Sequence, residues 1–399
     1  MRTVLSTVGS RGEVQPMLAL ATRLRDHDHR IRVCAPPDFR QFVERAGFEF
    51  VPLGPELRPI LGAAGRPSAE ALRRTIPDTV AGQFETLEQA TADADLLVGC
   101  GALQIAAPSI AEMRRIPYTF ACYCPITLPS PQHAPIPMPG PPADATADNR
   151  TRWTRDARRW NEIWRTPLDS QRAARGLAPV PNVRDHVLTA RPLLAADPLL
   201  GPWPAPSELA VTATGAWILP DDTPLPAELL RFLDAGEPPV FLGFGSTIGT
   251  RADGHTLAAA VRALGRRAVV SRGWADLGAA DDPDTLLIGE VNQQALFTRV
   301  AAVLHHGGAG TTTTAARAGA PQVVVPHTYD QPYWAQRVQD LGIGVAHPAE
   351  PTVESLTAAL AHALSPTITA RARTLAPQIH TDGAEIAARY LTDRAPARA

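Results

Sequence analysis

The alternation of short apolar runs with segments of helical periodicity constrains the fold of this chain more than any other feature. A strand-length apolar run followed by an amphipathic helix is the repeating unit of a doubly wound α/β domain with a parallel sheet. The beginning of the chain shows this unit repeatedly. It predicts strand, helix, strand, helix and strand over residues 3–9, 14–26, 30–36, 39–47 and 48–54.

The pattern continues with a helix at 69–92 and strands at 96–101 and 118–124, so the first domain carries at least five strands. A turn-rich zone follows, and we place a domain boundary within 216–226. The second series predicts strands at 239–246, 268–271, 285–291 and 301–305 and helices at 256–264, 293–300, 334–341 and 384–391. The 399 residues therefore divide into domains 1–215 and 216–382, with a last helix in 383–399 expected to pack back on the first domain.

The motif that says most about chemistry is His-His-Gly-Gly-Ala-Gly-Thr-Thr-Thr-Thr at 305–314. A buried strand precedes it, and a helix that ends at Gly319 follows. Glycines let the backbone approach an anion closely, while the start of a helix offers unpaired amides and roughly half a positive charge. An ordinary glycine-rich turn is the alternative, and the two adjacent histidines argue against it. We predict a turn that holds a diphosphate.

Composition removes several classes of function. The chain has no lysine, so it cannot form a lysine Schiff base, anchor pyridoxal phosphate or build a Walker-type P-loop. The net charge of −2 gives no general attraction to nucleic acid or anionic lipid. Cys34, Cys100, Cys122 and Cys124 lack metal-binding spacing and are predicted to be reduced core residues. The N-terminal residues have no signal-peptide features, which favours a cytoplasmic enzyme.

The first domain contains a proline-rich stretch at 125–142, for which we predict an extended surface loop, because proline lacks the amide that a helix or central strand needs. An amphipathic segment follows, and Trp153, Trp160 and Trp164 share one of its faces. Core packing is the main expectation for these rings. The loop and helix are also a natural wall for an acceptor, and His133 and Trp153 are the candidate acceptor-binding residues.

Six motifs resemble those of the bacterial family 1 glycosyltransferases, and within that family the glycopeptide-antibiotic enzymes, with sterol and glycolipid glucosyltransferases as nearby branches. The resemblance covers nearly the whole chain and keeps the motif order. It implies the GT-B fold, with two Rossmann-like domains facing across a cleft, the acceptor in the first and the nucleotide sugar in the second. The motifs are GSRGEVQP at 9–16, CAPPDF at 34–39, TGAWILP at 214–220, GFGS at 243–246, HHGG at 305–308 and DQP at 330–332.

The function implied by this resemblance is the inverting transfer of a hexose or deoxyhexose from a UDP or dTDP donor to a hydroxyl of a natural product. Such a transfer needs a general base and a stabilised leaving diphosphate. Glu13 is the candidate base, at a position where the glycopeptide branch has Asp and other branches have His. Glutamate keeps the carboxylate and moves its oxygens by about an ångström. The alternative role for Glu13 is a favourable interaction with the helix dipole alone.

The resemblance also assigns the donor residues. Asp330 and Gln331 would bind sugar hydroxyls, although a turn that caps the next helix would explain them too. Trp274 and Val291 would flank the nucleobase. The expected diphosphate-binding residues come from both domains and are Ser10, Arg11, Ser246, His305, Gly307, Gly308, Ala309, Gly310, Thr311 and Thr312.

This set makes a metal ion unnecessary, so we expect metal-independent transfer with the sugar nucleotide as the only co-substrate. Two other functions on the same fold stay open, a nucleotide-sugar epimerase or hydrolase and a catalytically silent helper protein. An NAD(P) oxidoreductase is disfavoured because residues 9–12 read Gly-Ser-Arg-Gly in place of a GxGxxG fingerprint. The choice between UDP and dTDP, the sugar, the acceptor, the O-, N- or C-linkage and the oligomeric state stay open at this stage.

Overall fold

The computed structural model describes residues 1–62, 69–101, 103–137, 146–247, 253–278, 282–348 and 350–394. The described chain forms two parallel sheets covered by helices, which confirms the predicted α/β class with two Rossmann-like domains. The predicted loop residues 138–142 and the last residues of the predicted segment 383–399, from 395 on, lie outside the described ranges.

The first sheet has seven strands in the order β3-β2-β1-β4-β5-β6-β7. The central strands β1 and β4 are almost entirely buried, because a parallel sheet is covered on both faces and needs continuous apolar runs. The seven strands are β1 (Arg2–Thr7), β2 (Arg30–Ala35), β3 (Glu49–Pro52), β4 (Leu96–Cys100), β5 (Tyr118–Cys122), β6 (Leu193–Leu194) and β7 (Thr212–Ala213).

The second sheet has six strands in the order β10-β9-β8-β11-β12-β13. The chain passes from the first sheet to the second between residues 213 and 240, and the predicted boundary at 216–226 lies within this passage. The six strands are β8 (Val240–Gly243), β9 (Ala268–Ser271), β10 (Thr285–Ile288), β11 (Ala302–His305), β12 (Gln322–Val324) and β13 (Gly344–Ala346).

Helices connect the strands and supply the outer layers. Those of the first half are α1 (Arg11–Asp26), α2 (Arg40–Arg45), α3 (Leu57–Gly62), α4 (Ala69–Ala90), α5 (Ala107–Arg114), α6 (Asn149–Ala173) and α7 (Val183–Leu188). Those of the second half are α8 (Ala227–Asp234), α9 (Gly254–Arg262), α10 (Gln293–Phe297), α11 (Ala309–Arg317), α12 (Gln331–Asp340), α13 (Val353–Ala363), α14 (Pro366–Leu375) and α15 (Gly383–Asp393).

The strand order places one crevice in each sheet. Connections leave in opposite directions on either side of β1 and β4 in the first sheet and of β8 and β11 in the second. Ligands of open α/β sheets bind outside the carboxyl ends of the strands at such switch points. The turn after β1 begins the helix that carries Glu13, and the turn after β11 is the predicted diphosphate site. The topology therefore puts both predicted motifs at the places where this fold binds ligands.

The last helix, α15, packs against α1 in the first half of the molecule. His27 lies 3.0 Å from Glu385, and the Thr392 hydroxyl lies 3.1 Å from His29 Nε2. The chain reaches α15 through Gly383, where an added Cβ would lie 2.4 Å from the carbonyl oxygen of Gly215. The two segments of chain that pass between the sheets thus touch at Gly215 and Gly383. We call this contact the chain crossing.

The proline-rich stretch differs from the predicted surface loop. Residues Pro125–Thr127 form one 3-10 turn, and Ile126 and Leu128 are buried in the first core. These apolar side chains alternate with the prolines and draw the segment inward, so residues 125–130 are buried or half-buried. Trp153 is buried, and Trp160 and Trp164 pack against the same core, as expected for the shared face. The four cysteines, Cys34, Cys100, Cys122 and Cys124, are free and buried, as predicted.

Candidate active site

Glu13 lies in the first turn of α1, directly after β1. The hydroxyl of Ser10, the N-cap residue, accepts the Gly12 amide at 3.3 Å and donates to Oε2 of Glu13 at 3.0 Å. The carboxylate folds back over Gly9, where an added Cβ would lie 2.4 Å from Cδ of Glu13. Gly9 therefore leaves the space that the carboxylate fills, which explains the glycine at the start of the motif.

The environment of Glu13 suits a general base. Burial raises the pKa of its carboxyl to about 7, and the negative charge of Asp330 from the second half of the chain adds to the rise. The hydrogen bond from Ser10 acts in the opposite direction. A carboxylate with a pKa near neutrality accepts a proton more readily than an exposed one and is still ionised in part at pH 7.

Sequence reasoning missed Tyr123, whose hydroxyl donates to the carbonyl oxygen of Glu13 at 2.9 Å. The residues are 110 positions apart, so no local motif joins them. The one available signal was the predicted strand at 118–124, whose carboxyl end meets the same edge of the sheet as that of β1.

The glycines between β11 and α11 give the diphosphate turn its shape. Gly307 has φ +92°, and an added Cβ there would lie 2.8 Å from Val324 Cγ1 and 3.0 Å from the Gln331 carbonyl oxygen. Gly308 is the N-cap residue of α11 and provides no capping side chain. The first amides of this helix have no acceptor within it and are available to an anion.

The threonines of the motif have different positions. Thr312 is buried, and both its amide and its hydroxyl bond to the carbonyl oxygen of Gly308, at 3.0 and 2.9 Å. Thr311 is half-buried, and its hydroxyl makes no hydrogen bond to the described residues. The groups open to a phosphate are therefore the Thr311 hydroxyl and the amides of Ala309, Gly310 and Thr311, while Thr312 holds the turn.

His305 lies beneath the turn. Its Nδ1 accepts the Gly307 amide at 3.1 Å, so the imidazole carries its proton on Nε2 and donates it to Oε1 of Gln322 at 2.9 Å. The ring has no exposed surface, and burial lowers its pKa to about 4. The structure thus gives His305 a supporting position, and its predicted contact with the diphosphate stays a prediction.

The second histidine, His306, was not assigned a role from the sequence. Its ring lies between two turns. A Cβ added to Gly308 would be 2.6 Å from Nε2 of His306, and a Cβ added to Gly245 would be 3.5 Å from Cε1 of the same ring. Its Nδ1 is buried without a hydrogen-bond partner among the described residues. Burial lowers its pKa to about 3, so the ring is neutral. The pair of adjacent histidines was the only signal for it.

The predicted sugar-binding residues open α12. Oδ2 of Asp330 accepts the indole N–H of Trp334 at 2.8 Å, and burial raises the pKa of the carboxyl. Oε1 of Gln331 accepts the amides of His327 at 2.7 Å and Thr328 at 3.1 Å, so its NH2 group is left to donate. Both side chains have a structural partner and one free polar group.

The predicted base-binding residues follow β9 and β10. Trp274 donates its amide to the Gly245 carbonyl oxygen at 2.9 Å, and this contact joins the turn after β9 to the turn that carries Ser246. The indole stacks on Phe39 of the first half, with centroids 5.8 Å apart and planes at 19°. Val291 is half-buried beside its neighbours in the second half. Phe39 of the first half therefore lies against one face of the Trp274 indole, and contact of Trp274 and Val291 with a nucleobase stays a prediction.

Arg11 contacts groups other than those of the turn in this structure. Its guanidinium pairs with Glu290 of the second half and lies 4.5 Å above the ring of Phe42. Ser10, the other predicted phosphate residue from the first half, is bonded to Glu13. Contact of either residue with a diphosphate stays a prediction.

His133 and Trp153, the candidate acceptor residues, contact each other. The ring of His133 lies edge-on between Trp153 and Trp203, at 5.9 Å from each centroid, and the Trp153 indole donates to the His133 carbonyl oxygen at 2.9 Å. Trp153 is only 7% exposed. Its ring packs mainly inside the domain, while half-buried His133 lies nearer the surface.

The described residues contain no group of three His, Cys, Asp or Glu able to hold a metal ion, and metal independence stays a prediction. The sequence does contain Asp-x-Asp triplets, at 26–28, 93–95 and 282–284. Carboxylates of these triplets pair with nearby arginines, as Asp26 does with Arg23, Asp93 with Arg32 and Asp282 with Arg262.

Comparison with known proteins decides the family. Residues 3–125 match the model of the glycosyltransferase family 28 N-terminal domain, and residues 274–389 match that of the erythromycin biosynthesis protein CIII-like C-terminal domain. The vancomycin aglycone glucosyltransferase of Amycolatopsis orientalis is 48% identical over 398 residues, which cover 98% of this chain and 97% of that protein. This chain is a family 1 glycosyltransferase.

Two further similarities agree with this family assignment. The dTDP-epi-vancosaminyltransferase of Amycolatopsis orientalis is 42% identical to this glycosyltransferase over 94% of the chain and 93% of the relative. The crystal structure of the glycotransferase of kitacinnamycin superposes with a TM-score of 0.74 at 21% identity and covers 99% of both chains. The GT-B fold and a hexosyltransferase activity, both expected from the resemblance, are confirmed. No helix in the described part of this glycosyltransferase is long and apolar enough to cross a membrane.

Proposed function

We propose that this glycosyltransferase moves a hexose or deoxyhexose, with inversion, from a UDP or dTDP donor to a hydroxyl of a natural-product aglycone. The observation that supports this most is the position of Glu13, a carboxylate of raised pKa at the switch point of one sheet, with Asp330 of the other half close enough to influence its charge. Relatives named for vancomycin-type acceptors and a dTDP donor support the substrate classes.

The proposed reaction is a single displacement. Glu13 takes the proton from the acceptor hydroxyl while that oxygen forms a bond to the anomeric carbon. The bond from the anomeric carbon to the diphosphate oxygen breaks, and its electron pair leaves with the nucleoside diphosphate. The charge that develops there is stabilised by the amides that open α11 and by the Thr311 hydroxyl.

Specificity would come from both halves. The NH2 group of Gln331 and the free oxygen of Asp330 are suited to sugar hydroxyls, and Trp274 with Val291 would flank the base. His133 and Trp153 would contribute to the acceptor wall. We propose that no metal ion takes part, since backbone amides offer the positive potential that Mg²⁺ gives elsewhere.

This function is tested by incubating the enzyme with UDP-glucose or dTDP-glucose, glycopeptide, phenolic and sterol acceptors, and EDTA. We expect a hexose adduct by mass spectrometry on at least one acceptor, at a rate that EDTA leaves unchanged. Donor hydrolysis or epimerisation without an adduct would contradict the transfer. Activity that EDTA abolishes and Mg²⁺ restores would contradict metal independence.

The pH dependence of transfer follows from Glu13. The base acts only when ionised, so kcat/KM is expected to rise about tenfold per pH unit at low pH and to level off above about 7. Steady-state kinetics from pH 5 to 9, with the enzyme shown to be folded throughout, would give this curve. A profile that levels off near pH 4.5, the ordinary value for glutamate, would contradict the assignment.

A further inference from the structure

Beneath the base lies a contact that the proposed reaction does not use. Tyr123, which follows β5, donates its hydroxyl hydrogen to the Glu13 carbonyl oxygen at 2.9 Å. Cys100, at the end of β4, lies close enough to the same hydroxyl to influence its pKa. Burial keeps the pKa of Tyr123 well above its ordinary value, so the hydroxyl retains the proton that it donates.

The first turn of α1 has a particular need for this anchor. Pro16 lies inside the helix and has no amide to donate to the carbonyl of Gly12, four residues earlier. The turn that carries Glu13 therefore has one helical hydrogen bond fewer than usual. Tyr123, directly after β5, supplies a bond from outside the helix to the next carbonyl along, that of Glu13.

The other side of Tyr123 contacts the passage between the two halves. Its ring lies edge-on to Trp217, with centroids 6.1 Å apart and planes at 78°. Trp217 is 4% exposed, and its indole N–H donates to the Thr214 hydroxyl at 2.9 Å. Gly215 stands between Thr214 and Trp217 in the sequence and touches Gly383 at the chain crossing. The side chain of Tyr123 thus connects the backbone of Glu13 to the chain crossing.

We propose that Tyr123 is a positioning residue for the transfer reaction. It fixes the position of the Glu13 carboxylate through the backbone of α1, and through Trp217 it links that position to the chain crossing. This inference rests on the proposed role of Glu13 as the base. It predicts that the Tyr123 hydroxyl affects the chemical step and leaves donor binding alone, because its contacts are with the backbone of α1 and with the crossing.

The test is Tyr123→Phe, which keeps the ring against Trp217 and removes the hydroxyl alone. We expect kcat to fall about tenfold, the loss corresponding to one buried hydrogen bond, with the donor KM unchanged. The plateau of the pH profile should begin below pH 7, because a less firmly held carboxylate gains contact with water. Tyr118→Phe is the matched control, since this tyrosine at the start of β5 has a buried hydroxyl without a partner among the described residues. It should match the wild type.

A double-mutant cycle separates positioning from general structural damage. If Tyr123 acts through the carboxylate, Tyr123→Phe has little further effect on the residual activity of Glu13→Gln. An equal loss in both backgrounds, or an unchanged kcat and pH profile in the single variant, would overturn the positioning role. An active Glu13→Gln enzyme would overturn the base assignment itself and this inference with it, so the two failures differ in which variant shows them.

Discussion

Replacing Glu13 by glutamine is expected to lower kcat by about 10²- to 10⁴-fold, the usual contribution of a positioned general base. Glutamine keeps the shape and the hydrogen bond from Ser10 but cannot accept the acceptor proton. The bond to Ser10 is kept and most of the predicted donor residues lie in the second half of the chain, so the dissociation constant for UDP or dTDP should be unchanged. Steady-state kinetics and calorimetric titration of the nucleotide measure the two quantities.

Glu13→Gln also has a predicted effect on stability, which shows whether a loss of activity in this variant comes from misfolding. Because the folded-state pKa of Glu13 is raised to about 7, its stabilising contribution is present below pH 4.5 and is lost as the pH rises to 7. Glu13→Gln should therefore be more stable than the wild type at pH 8, by on the order of 1–2 kcal/mol after allowance for solvent screening, and equal to it below pH 4.5. Chemical denaturation at both pH values measures this.

Glu13→Asp is the informative partner of that variant, since the glycopeptide branch that the motifs resemble has aspartate at this position. It keeps the base but withdraws it by about an ångström, so an intermediate kcat is expected. A Glu13→Gln enzyme that keeps kcat within a few-fold of wild type would contradict the role of Glu13, whatever the aspartate variant does.

Gly307→Ala is expected to weaken donor binding about 100-fold or more. The substitution places a Cβ 2.8 Å from Val324 and 3.0 Å from the Gln331 carbonyl oxygen, at φ +92°, where only glycine is unstrained. Relief of these contacts must move the turn away from α12 or break the bond from its amide to His305. The amides that should hold the diphosphate then lose their alignment. Titration with UDP and dTDP measures the loss.

The control for this variant is Gly82→Ala. Gly82 lies inside α4, away from the turn, and an added Cβ there meets no atom within 4 Å. The change should raise stability by about 0.5–1 kcal/mol through helix propensity and leave nucleotide affinity unchanged. Gly307→Ala with wild-type affinity for both nucleotides would contradict the assignment of the turn as the diphosphate site.

Most of the fold could be predicted because buried parallel strands are short, apolar and separated by amphipathic helices. β9 (Ala268–Ser271) has its predicted bounds, and other predicted strands differ from theirs by a few residues at the ends. Elements that lack this difference between an apolar strand and an amphipathic helix were not predicted. The short strands β12 and β13, the alanine-rich helix α13 and the helix α14 have mixed patterns in which period alone does not distinguish helix, strand and loop.

The site could be predicted in part for a similar reason. Motifs that follow strands, such as those with Glu13 and Gly307, lie at the switch points that the topology defines. Side-chain direction could not be predicted, since it depends on partners from elsewhere in the chain. His305 is turned inward by Gln322, Arg11 is drawn to Glu290, and Tyr123 reaches α1 across the sheet.

The most direct test of the central claim is the stereochemistry of the product. An α-configured donor such as UDP-α-glucose should give a β-linked glucoside, identified by the anomeric proton coupling in NMR, because one displacement by an acceptor that Glu13 deprotonates inverts the anomeric carbon. An α-linked product would require two displacements or front-side attack and would contradict the mechanism proposed for this glycosyltransferase.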